Sequence, residues 1–202
     1  GTQNLTPTVA AQDANLTVKL VQERGGEATA NYVDVSDHAA AGAMVQQAVD
    51  DFGRLDILVN NAGIVRDAAI WNMDEADFDA VIRVHLKGTW SPCHHAARYF
   101  REQAKSGAPL RGRIINTVSG AGLVGNFGQT SYATAKAGIA SLTQTLSLEL
   151  YKLGVTVNAV ASSVVLPSLS YLSETWLAES ATRVRGWLRS VVIRPVAVAP
   201  AR

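Results

Sequence analysis

Tyr132 and Lys136 are the residues of this sequence whose types and spacing most directly suggest chemistry. They lie four positions apart in the run GQTSYATAKAG at 128–138, and residues at i and i+4 share one helix face, about 5–6 Å apart at Cβ. An unperturbed tyrosine has a pKa of about 10, and a neighbouring ammonium favours the phenolate and lowers that pKa. The pair could therefore exchange a proton near neutral pH, although an ordinary helix surface has the same spacing.

Ser119 and the segment Asn60–Gly63 place small and polar residues at the ends of two predicted strands. Ser119 closes the apolar run RGRIINTVS at 111–119, and a glycine-rich loop then leads to the helix that carries Tyr132. The run LVNNAG ends another strand, and ligands of open parallel sheets bind in the crevice outside the carboxyl ends of the strands. Ser119 could hydrogen-bond a substrate oxygen there. For Asn60–Gly63, a simple Asn-Gly turn that leaves the strand is the alternative.

Strand-like and helix-like segments alternate along the chain, which predicts the fold that positions these residues. Nearly continuous apolar runs are typical of strands buried on both faces of a parallel sheet. Repeated strand–helix–strand units predict an α/β, doubly wound parallel sheet with right-handed crossovers. Pro92, which costs about 3 kcal/mol inside a helix, predicts a kink or break near Trp90–Ser91. The predicted strands are 27–35, 54–63, 111–119 and 154–161, and the predicted helices are 10–24, 39–52, 75–105 and 131–153.

The composition argues against several classes of partner and site. The 202 residues are 48% hydrophobic and 17% charged with a net charge of +1, which predicts one soluble domain and gives no electrostatic reason to expect nucleic acid or a membrane. No apolar run reaches the roughly 18 residues of a membrane span. The one cysteine, Cys93, excludes an internal disulfide and favours a reducing compartment, so we expect a cytoplasmic protein. His94 and His95 diverge on a helix, so no metal site is expected.

The motifs occur together in an order that resembles the short-chain dehydrogenase/reductase family. DVSD at 34–37, NNAG at 60–63, Ser119 and YATAK at 132–136 follow one another within roughly residues 10–161. Two longer stretches, GIVRDAAIWNMDEADFDAVIRVHLKG and GLVGNFGQTSYATAKAG, resemble most the hydroxyacyl-CoA dehydrogenase branch of the peroxisomal multifunctional enzymes. The resemblance implies a Rossmann-like sheet and hydride transfer with NAD or NADP, which interconverts a secondary alcohol and a ketone.

The resemblance also implies a role for each matching residue. Tyr132 is expected to be the general acid/base, Lys136 to lower the pKa of Tyr132 and bind the nicotinamide ribose, and Ser119 to polarise the substrate. His85, in VHLKG, stands where the family usually has a proton-relay asparagine. A neutral imidazole could hold a relay water, and a packed helix histidine is the alternative. The expected cofactor contacts are Asp34 and Val35 along the adenine, and Asn60, Ala62 and Gly63 beside the ribose and nicotinamide.

Two regions depart from the family pattern. The opening strand and its TGxxxGxG-type turn, which place pyrophosphate at a helix N-terminus, do not occur in this sequence. Residues 1–161 are therefore expected to form a partial Rossmann-fold domain that lacks the first βαβ unit. Residues 162–202 form a divergent, arginine-rich tail. Its apolar residues at near-helical intervals predict an amphipathic helix over 169–191, packed on the body or on a neighbour, with a membrane-surface helix as the alternative.

We therefore expect an NAD(P)-dependent oxidoreductase with a small-molecule substrate that is acyl-CoA-like or steroid-like. By resemblance, it is expected to assemble as a homodimer or homotetramer. An acyl-carrier-linked ketoreductase would differ only in the substrate. The alternative from another class is an inactive, truncated relative that acts, if at all, through oligomerisation. The sequence does not predict a preference for NAD or NADP, because the residue that reads the ribose 2′ position belongs to the segment that was not found.

Overall fold

The fold is a parallel sheet of three strands with helices, in a computed structural model that describes residues 7–107 and 110–162. The strands are β1 (Ile57–Asn60), β2 (Arg113–Ser119) and β3 (Thr156–Ser162). The helices are α1 (Pro7–Glu23), α2 (His38–Phe52), α3 (Glu75–Ile82), α4 (Gly88–Lys105), α5 (Gly120–Val124) and α6 (Thr130–Leu150). A π-helical segment, Arg83–Lys87, joins α3 to α4, and 3-10 turns lie at Ile70–Asn72 and Tyr151–Leu153.

The sheet places the carboxyl ends of its strands at one edge. β2 lies between β1 and β3, all pairs are parallel, and the register sets Asn60 opposite Asn116 and Ser119 opposite Ser162. Helix α4 connects β1 to β2, and α6 connects β2 to β3. Both helices pack in one core cluster with the strands. They therefore lie on the same face of the sheet, as expected when crossovers of one hand connect strands that follow one another in sequence. Three of the predicted strands are thus confirmed, although β1 is shorter than the predicted 54–63.

The two faces of the sheet differ in burial, which departs from the expectation of strands buried on both faces. Leu58, Ile114 and Val157 are buried against α4 and α6. On the opposite face, Val59 and Val160 are 58% and 45% exposed. The side chains therefore alternate between core and solvent, because the described helices that share a core cluster with the strands lie on one face of the sheet.

Residues 27–35 were predicted as a strand, and that prediction was wrong, because they are irregular in the structure. A parallel strand needs a neighbour that exchanges backbone hydrogen bonds with it, and no described segment pairs with these residues. Local bonds take the place of a ladder: Asn31 Oδ1 accepts from the Val33 amide at 3.0 Å, and Asp34 Oδ1 accepts from the Ser36 amide at 2.9 Å. Such side-chain bonds compete with sheet pairing.

The predicted helix 75–105 is interrupted, but not at Pro92. Helix α4 continues through Pro92 from Gly88 to Lys105, so the break expected near Trp90–Ser91 does not occur in this described segment. The interruption is the π-helical segment Arg83–Lys87, in which the Gly88 amide donates to the Arg83 carbonyl. Single π turns inside helices are frequent at functional sites, and this one carries His85.

A buried network of amides and hydroxyls ties the strands to both long helices. Asn60 Nδ2 donates to Asn116 Oδ1 at 2.9 Å, and Asn116 Nδ2 donates to Thr143 Oγ1 at 2.9 Å. The Thr143 hydroxyl donates in turn to the Ile139 carbonyl, and Asn60 Nδ2 lies 3.1 Å from Cys93 Sγ. Burial raises the pKa of the Cys93 thiol to about 12, so the thiol stays protonated. Because buried polar groups require partners, the network fixes β1, β2, α4 and α6 relative to one another.

The tail helix expected over 169–191 lies outside the described residues, and the domain division at residue 161 stays a prediction. Among the described helices, none combines the length and the apolar character that crossing a membrane requires. Within the same residues, no group of three or more histidine, cysteine or acidic side chains is arranged to hold a metal ion.

Candidate active site

Tyr132 and Lys136 lie on one face of the first turns of α6, as their spacing predicts. Lys136 Nζ is 5.6 Å from the centroid of the Tyr132 ring and donates to the Thr117 carbonyl at 2.7 Å. Lys136 is only 4% exposed, and this burial lowers its pKa. Among the described residues, Thr117 takes one of the three ammonium donors. The other two suit hydroxyl or carbonyl oxygens of a bound molecule.

Ser119 stands where β2 ends and α5 begins. Its Oγ accepts a hydrogen bond from the Ala121 amide at 3.3 Å and so caps α5. Two residues earlier on the same strand, the Thr117 carbonyl holds Lys136. The end of β2 therefore positions the serine beside the helix face that carries the tyrosine and the lysine.

Gly122 allows α5 to lie directly against α6. A Cβ at this position would fall 2.7 Å from the Ala137 amide nitrogen and 2.7 Å from the Lys136 carbonyl carbon, closer than real Cβ atoms approach. Backbone atoms cannot move aside as a flexible side chain can, so the contact requires glycine. The glycine-rich segment between Ser119 and Tyr132 thus contributes to helix packing as well as to chain turning.

His85 connects the Tyr132 ring to the loop after β1. The His85 and Tyr132 ring centroids are 5.1 Å apart, edge to face, and His85 Nε2 lies 2.7 Å from the Ile64 carbonyl and 3.1 Å from the Ile64 amide. Burial lowers the pKa of His85, and the charge of Lys136 lowers it further. The hydrogen bond to Ile64 raises it but does not outweigh these two effects, so the imidazole is neutral at pH 7. The shorter contact favours the proton on Nε2. His85 Nδ1 is then a buried acceptor, without a partner among the described residues.

The segment Asn60–Gly63 divides between core and surface. The Asn60 amide belongs to the buried network. The cofactor contact expected of Asn60 stays a prediction, and its backbone rather than its side chain would make that contact. Ala62 and Gly63 are exposed. A Cβ at Gly63 would lie 2.3 Å from His85 Cε1. The close approach of His85 therefore requires glycine at position 63. The sequence pattern did not indicate this contact.

Asp34 and Val35 follow the irregular segment and contact the π-helical region. Asp34 Oδ1 accepts from the Ser36 hydroxyl at 2.6 Å, and Oδ2 lies 3.4 Å from Arg83 Nη1. The hydrogen bonds from Ser36, helped by the charges of Arg83 and Lys87, hold the pKa of Asp34 below its ordinary value. The carboxylate is 52% exposed and keeps acceptor capacity toward solvent. Val35 packs against Gly88, where a Cβ would meet Val35 Cγ2 at 2.9 Å.

The structure thus brings Tyr132, Lys136 and His85 into contact and places Ser119 at the adjoining strand end. Asp34 and Val35 contact Arg83 of the π-helical segment and Gly88 at the start of α4, which connect them to these residues. Sequence reasoning missed the Thr117 and Ile64 backbone groups, because a carbonyl acceptor is available at any residue and leaves no signal in the sequence. Chemically, the cluster offers a phenol hydroxyl, a buried lysine and a neutral imidazole acceptor.

Comparisons with known proteins show the family that the chain is similar to. A model of the short chain dehydrogenase family matches residues 2–176. A peroxisomal hydratase-dehydrogenase-epimerase of Neurospora crassa is 41% identical over 148 residues, which are 73% of this chain and 16% of that protein. The hydroxyacyl-CoA dehydrogenase ChsB1 of Mycobacterium tuberculosis is 45% identical over 140 residues, which are 68% of this chain and 44% of that protein.

A solved structure gives the same fold. The NAD⁺-bound xylitol dehydrogenase matches with a TM-score of 0.70 and 28% sequence identity, and the match covers 84% of this chain and 61% of that one. Across these three proteins, the matched part of this chain spans between 16% and 61% of the relative's length.

Proposed function

The chain belongs to the short-chain dehydrogenase family, and on that premise we propose that it interconverts a secondary alcohol and a ketone by hydride transfer with NAD or NADP. The family and the Rossmann-like parallel sheet predicted from the sequence are confirmed, and the family is one of oxidoreductases. The observation that supports the proposal most is the cluster of Tyr132, Lys136 and His85 beside the strand end that carries Ser119.

The residues present fit the nicotinamide end of such a cofactor. In the described residues, Lys136 is buried with two ammonium donors that Thr117 does not use, and ribose hydroxyls accept such donors. Ala62 and Gly63 expose backbone without bulky side chains, which suits the close approach of a flat ring. The half-exposed Asp34 carboxylate can accept from an adenine amine. When bound, NAD(P) supplies the hydride chemistry.

The roles of the side chains follow from their positions. Tyr132 takes the proton of the substrate hydroxyl during oxidation and returns it during reduction. The Lys136 ammonium lies 5.6 Å from the centroid of the Tyr132 ring, on the same helix face. Ser119 donates to the substrate oxygen and orients it toward Tyr132. His85 Nδ1 accepts from a water that carries the proton onward, and its neutrality at pH 7 suits that role.

The substrate that we propose is an acyl-CoA-like or steroid-like alcohol. The name of the Mycobacterium tuberculosis relative, a hydroxyacyl-CoA dehydrogenase, supports the first of these. We also infer that the chain assembles as a homodimer or homotetramer. Leu148 and Tyr151, at the end of α6, are 74% and 62% exposed, and an exposed apolar surface of this kind supports contact between copies. A cytoplasmic location stays a prediction, since one relative is named as peroxisomal.

Titration with NADH and with NADPH tests the proposal. A ligand that binds only the folded state raises its stability, by about 2.7 kcal/mol at one hundred times the dissociation constant. We expect one of the two cofactors to raise the melting temperature, and Lys136→Met to reduce that rise, because the buried donors are lost. Lys152→Met, which removes an exposed lysine outside the cluster, is the control and should leave the rise unchanged. No shift with either cofactor at millimolar concentration would contradict the proposal.

A further inference from the structure

Two exposed aromatic side chains, Trp71 and Phe127, contact each other on the loops that lead to the candidate active site. We call them the aromatic pair. Trp71 is 74% exposed and Phe127 is 80% exposed, and their ring centroids are 6.3 Å apart in an edge-to-face arrangement. Ile70, next to Trp71, is 60% exposed and extends the same apolar surface. Single exposed apolar residues are ordinary, whereas contiguous apolar patches mark binding sites.

The loops that carry the aromatic pair are bonded to each other. The Ala68 amide donates to the Gly128 carbonyl at 2.9 Å, and Ala68 and Gln129 form an isolated parallel β-bridge. Gln129 Nε2 donates to Asp67 Oδ2 at 2.9 Å. These bonds join the loop after β1 to the loop before α6, so the two loops form one unit.

Two glycines shape the turn that carries Phe127. Gly125, two positions before it, and Gly128, directly after it, both have φ of 77°. A positive φ of this size is readily adopted by glycine and strained for other residues. The sequence therefore favours this backbone turn.

The loops of the aromatic pair lead to the proton-transfer residues. Phe127 precedes Tyr132 by five positions, which limits the separation of their Cα atoms to at most about 18 Å. On the other side, the loop after β1 is tied to His85 by the 2.7 Å contact with the Ile64 carbonyl, and His85 contacts the Tyr132 ring. One loop is thus continuous with the helix that carries Tyr132, and the other is bonded to the histidine that contacts it.

Three of the charged groups near the aromatic pair have partners. Arg66 pairs with Asp77 at 3.4 Å, and Asp67 accepts from Gln129. Asp74, at the end of the same loop, is exposed and makes no side-chain cap bond. What the two loops offer a ligand is therefore an apolar surface of two exposed rings with a carboxylate at its border. Rings with few rotatable bonds lose little conformational freedom when they are covered.

We propose that Trp71 and Phe127 bind the apolar arm of the substrate, the part that extends from the carbon bearing the reacting hydroxyl. The inference rests on the proposed function and adds the residues that select the substrate. A saturated chain and a fused-ring steroid share the chemistry that this surface recognises. The connection of both loops to Tyr132 and His85 favours the substrate as occupant over a second copy of the chain.

Binding of a homologous series of alcohols tests the proposal. We would measure dissociation constants of 2-butanol, 2-hexanol and 2-octanol by ligand-observed NMR, with and without NADH, and add a steroid alcohol as competitor. A fully buried methylene strengthens binding by about fourfold. We expect between about twofold and fourfold per methylene for the parent chain, and displacement of 2-octanol by the steroid if the natural arm is a fused ring system.

Two variants and a matched control test whether the alkyl chain of the alcohol binds to the aromatic pair. Trp71→Ala and Phe127→Ala should each reduce the gain in affinity per methylene to below about twofold, while melting temperatures stay within a few degrees because both rings are exposed. Phe52→Ala, which removes a phenylalanine that is 42% exposed on α2, should keep the parent's dependence on chain length.

Several results would overturn the proposal. One is a parent chain whose affinity does not depend on chain length, and another is the same dependence in all three variants. Dimerisation that both loop variants abolish, with unchanged alcohol binding, would assign the aromatic pair to a second copy. The proposed function fails by a separate result, namely undiminished turnover in Tyr132→Phe, and that result does not depend on chain length.

Discussion

Asn116, Lys136 and His85 are polar side chains that the fold removes almost completely from water, at 0%, 4% and 3% exposed. Burying such groups costs free energy unless hydrogen bonds replace those to water. Asn116 is compensated inside the network, whereas Lys136 and His85 keep unused donors or acceptors in the described residues. At the residue scale, Asn116 is therefore expected to contribute to stability, and the other two to serve a bound molecule.

Asn116→Ala is expected to lower the free energy of unfolding by about 2–4 kcal/mol. The substitution leaves a small cavity and deprives the buried Asn60 amide and Thr143 hydroxyl of a partner. Urea denaturation measures the loss. Gln144→Ala, at an exposed position of α6, is the control and should change stability by less than about 0.5 kcal/mol. Equal, small effects of the two substitutions would show that the network does not stabilise the fold.

The fold is expected to lose stability as the pH falls from about 7.5 to about 5. Because burial lowers the pKa of His85, the unfolded chain takes up a proton below the ordinary value of about 6.5 while the folded chain resists it. The stability contribution is complete above that value and is lost as the pH falls toward the lowered pKa. Urea denaturation at the two pH values measures the slope, and His85→Gln should reduce it to the part that the lowered pKa of His94 contributes. An identical slope in the variant would contradict the assignment.

At the scale of elements, α5 provides a matched pair of glycines. Nothing lies within 4 Å of a Cβ built at Gly120, whereas a Cβ at Gly122 would meet the α6 backbone at 2.7 Å. Gly122→Ala is therefore expected to cost about 1–3 kcal/mol. Gly120→Ala should be neutral, or stabilising by up to about 1 kcal/mol. Thermal and urea unfolding of both variants check this, and equal costs would mean that α5 does not depend on close contact with α6.

Elements whose formation depends on local pattern were predictable, and those that depend on distant partners were not. The prediction of 131–153 as a helix agrees with α6, and 111–119 contains β2. The segment 27–35 has the β-branched and apolar composition of a strand, yet without a neighbour in the described residues it forms none. No characteristic composition marks a π-helical turn either. The sequence therefore indicated its histidine, His85, but did not predict the turn.

The candidate site was predictable as a set of side chains and not as a set of contacts. Tyr132 and Lys136 meet as their spacing predicts. The pairing of Lys136 with a carbonyl, and of His85 with Ile64, depends on how the strands and loops are brought together in space. Asn60 is a further example, because the bond from its amide to Asn116 depends on the pairing of β1 with β2.

At the scale of the whole molecule, the sheet is expected to respond differently to the same substitution on its two faces. Val157 is 6% exposed and Val160 is 45% exposed on the same strand, β3. Val157→Thr buries a hydroxyl and should cost about 1–3 kcal/mol, whereas Val160→Thr should stay within about 0.5 kcal/mol. Urea denaturation distinguishes them. A comparable loss at Val160 would show that this face is covered in solution.

The proton-transfer role of Tyr132 is the central claim, and turnover measures it most directly. We would follow formation of NADH or NADPH from a panel of hydroxyacyl-CoA and steroid alcohols by the parent chain, by Tyr132→Phe and by the control Tyr32→Phe, at a tyrosine that is 58% exposed. We predict that Tyr132→Phe lowers kcat by at least about one hundredfold and retains the cofactor-induced rise in melting temperature, while Tyr32→Phe matches the parent. Turnover by Tyr132→Phe at the parent's rate would contradict the claim.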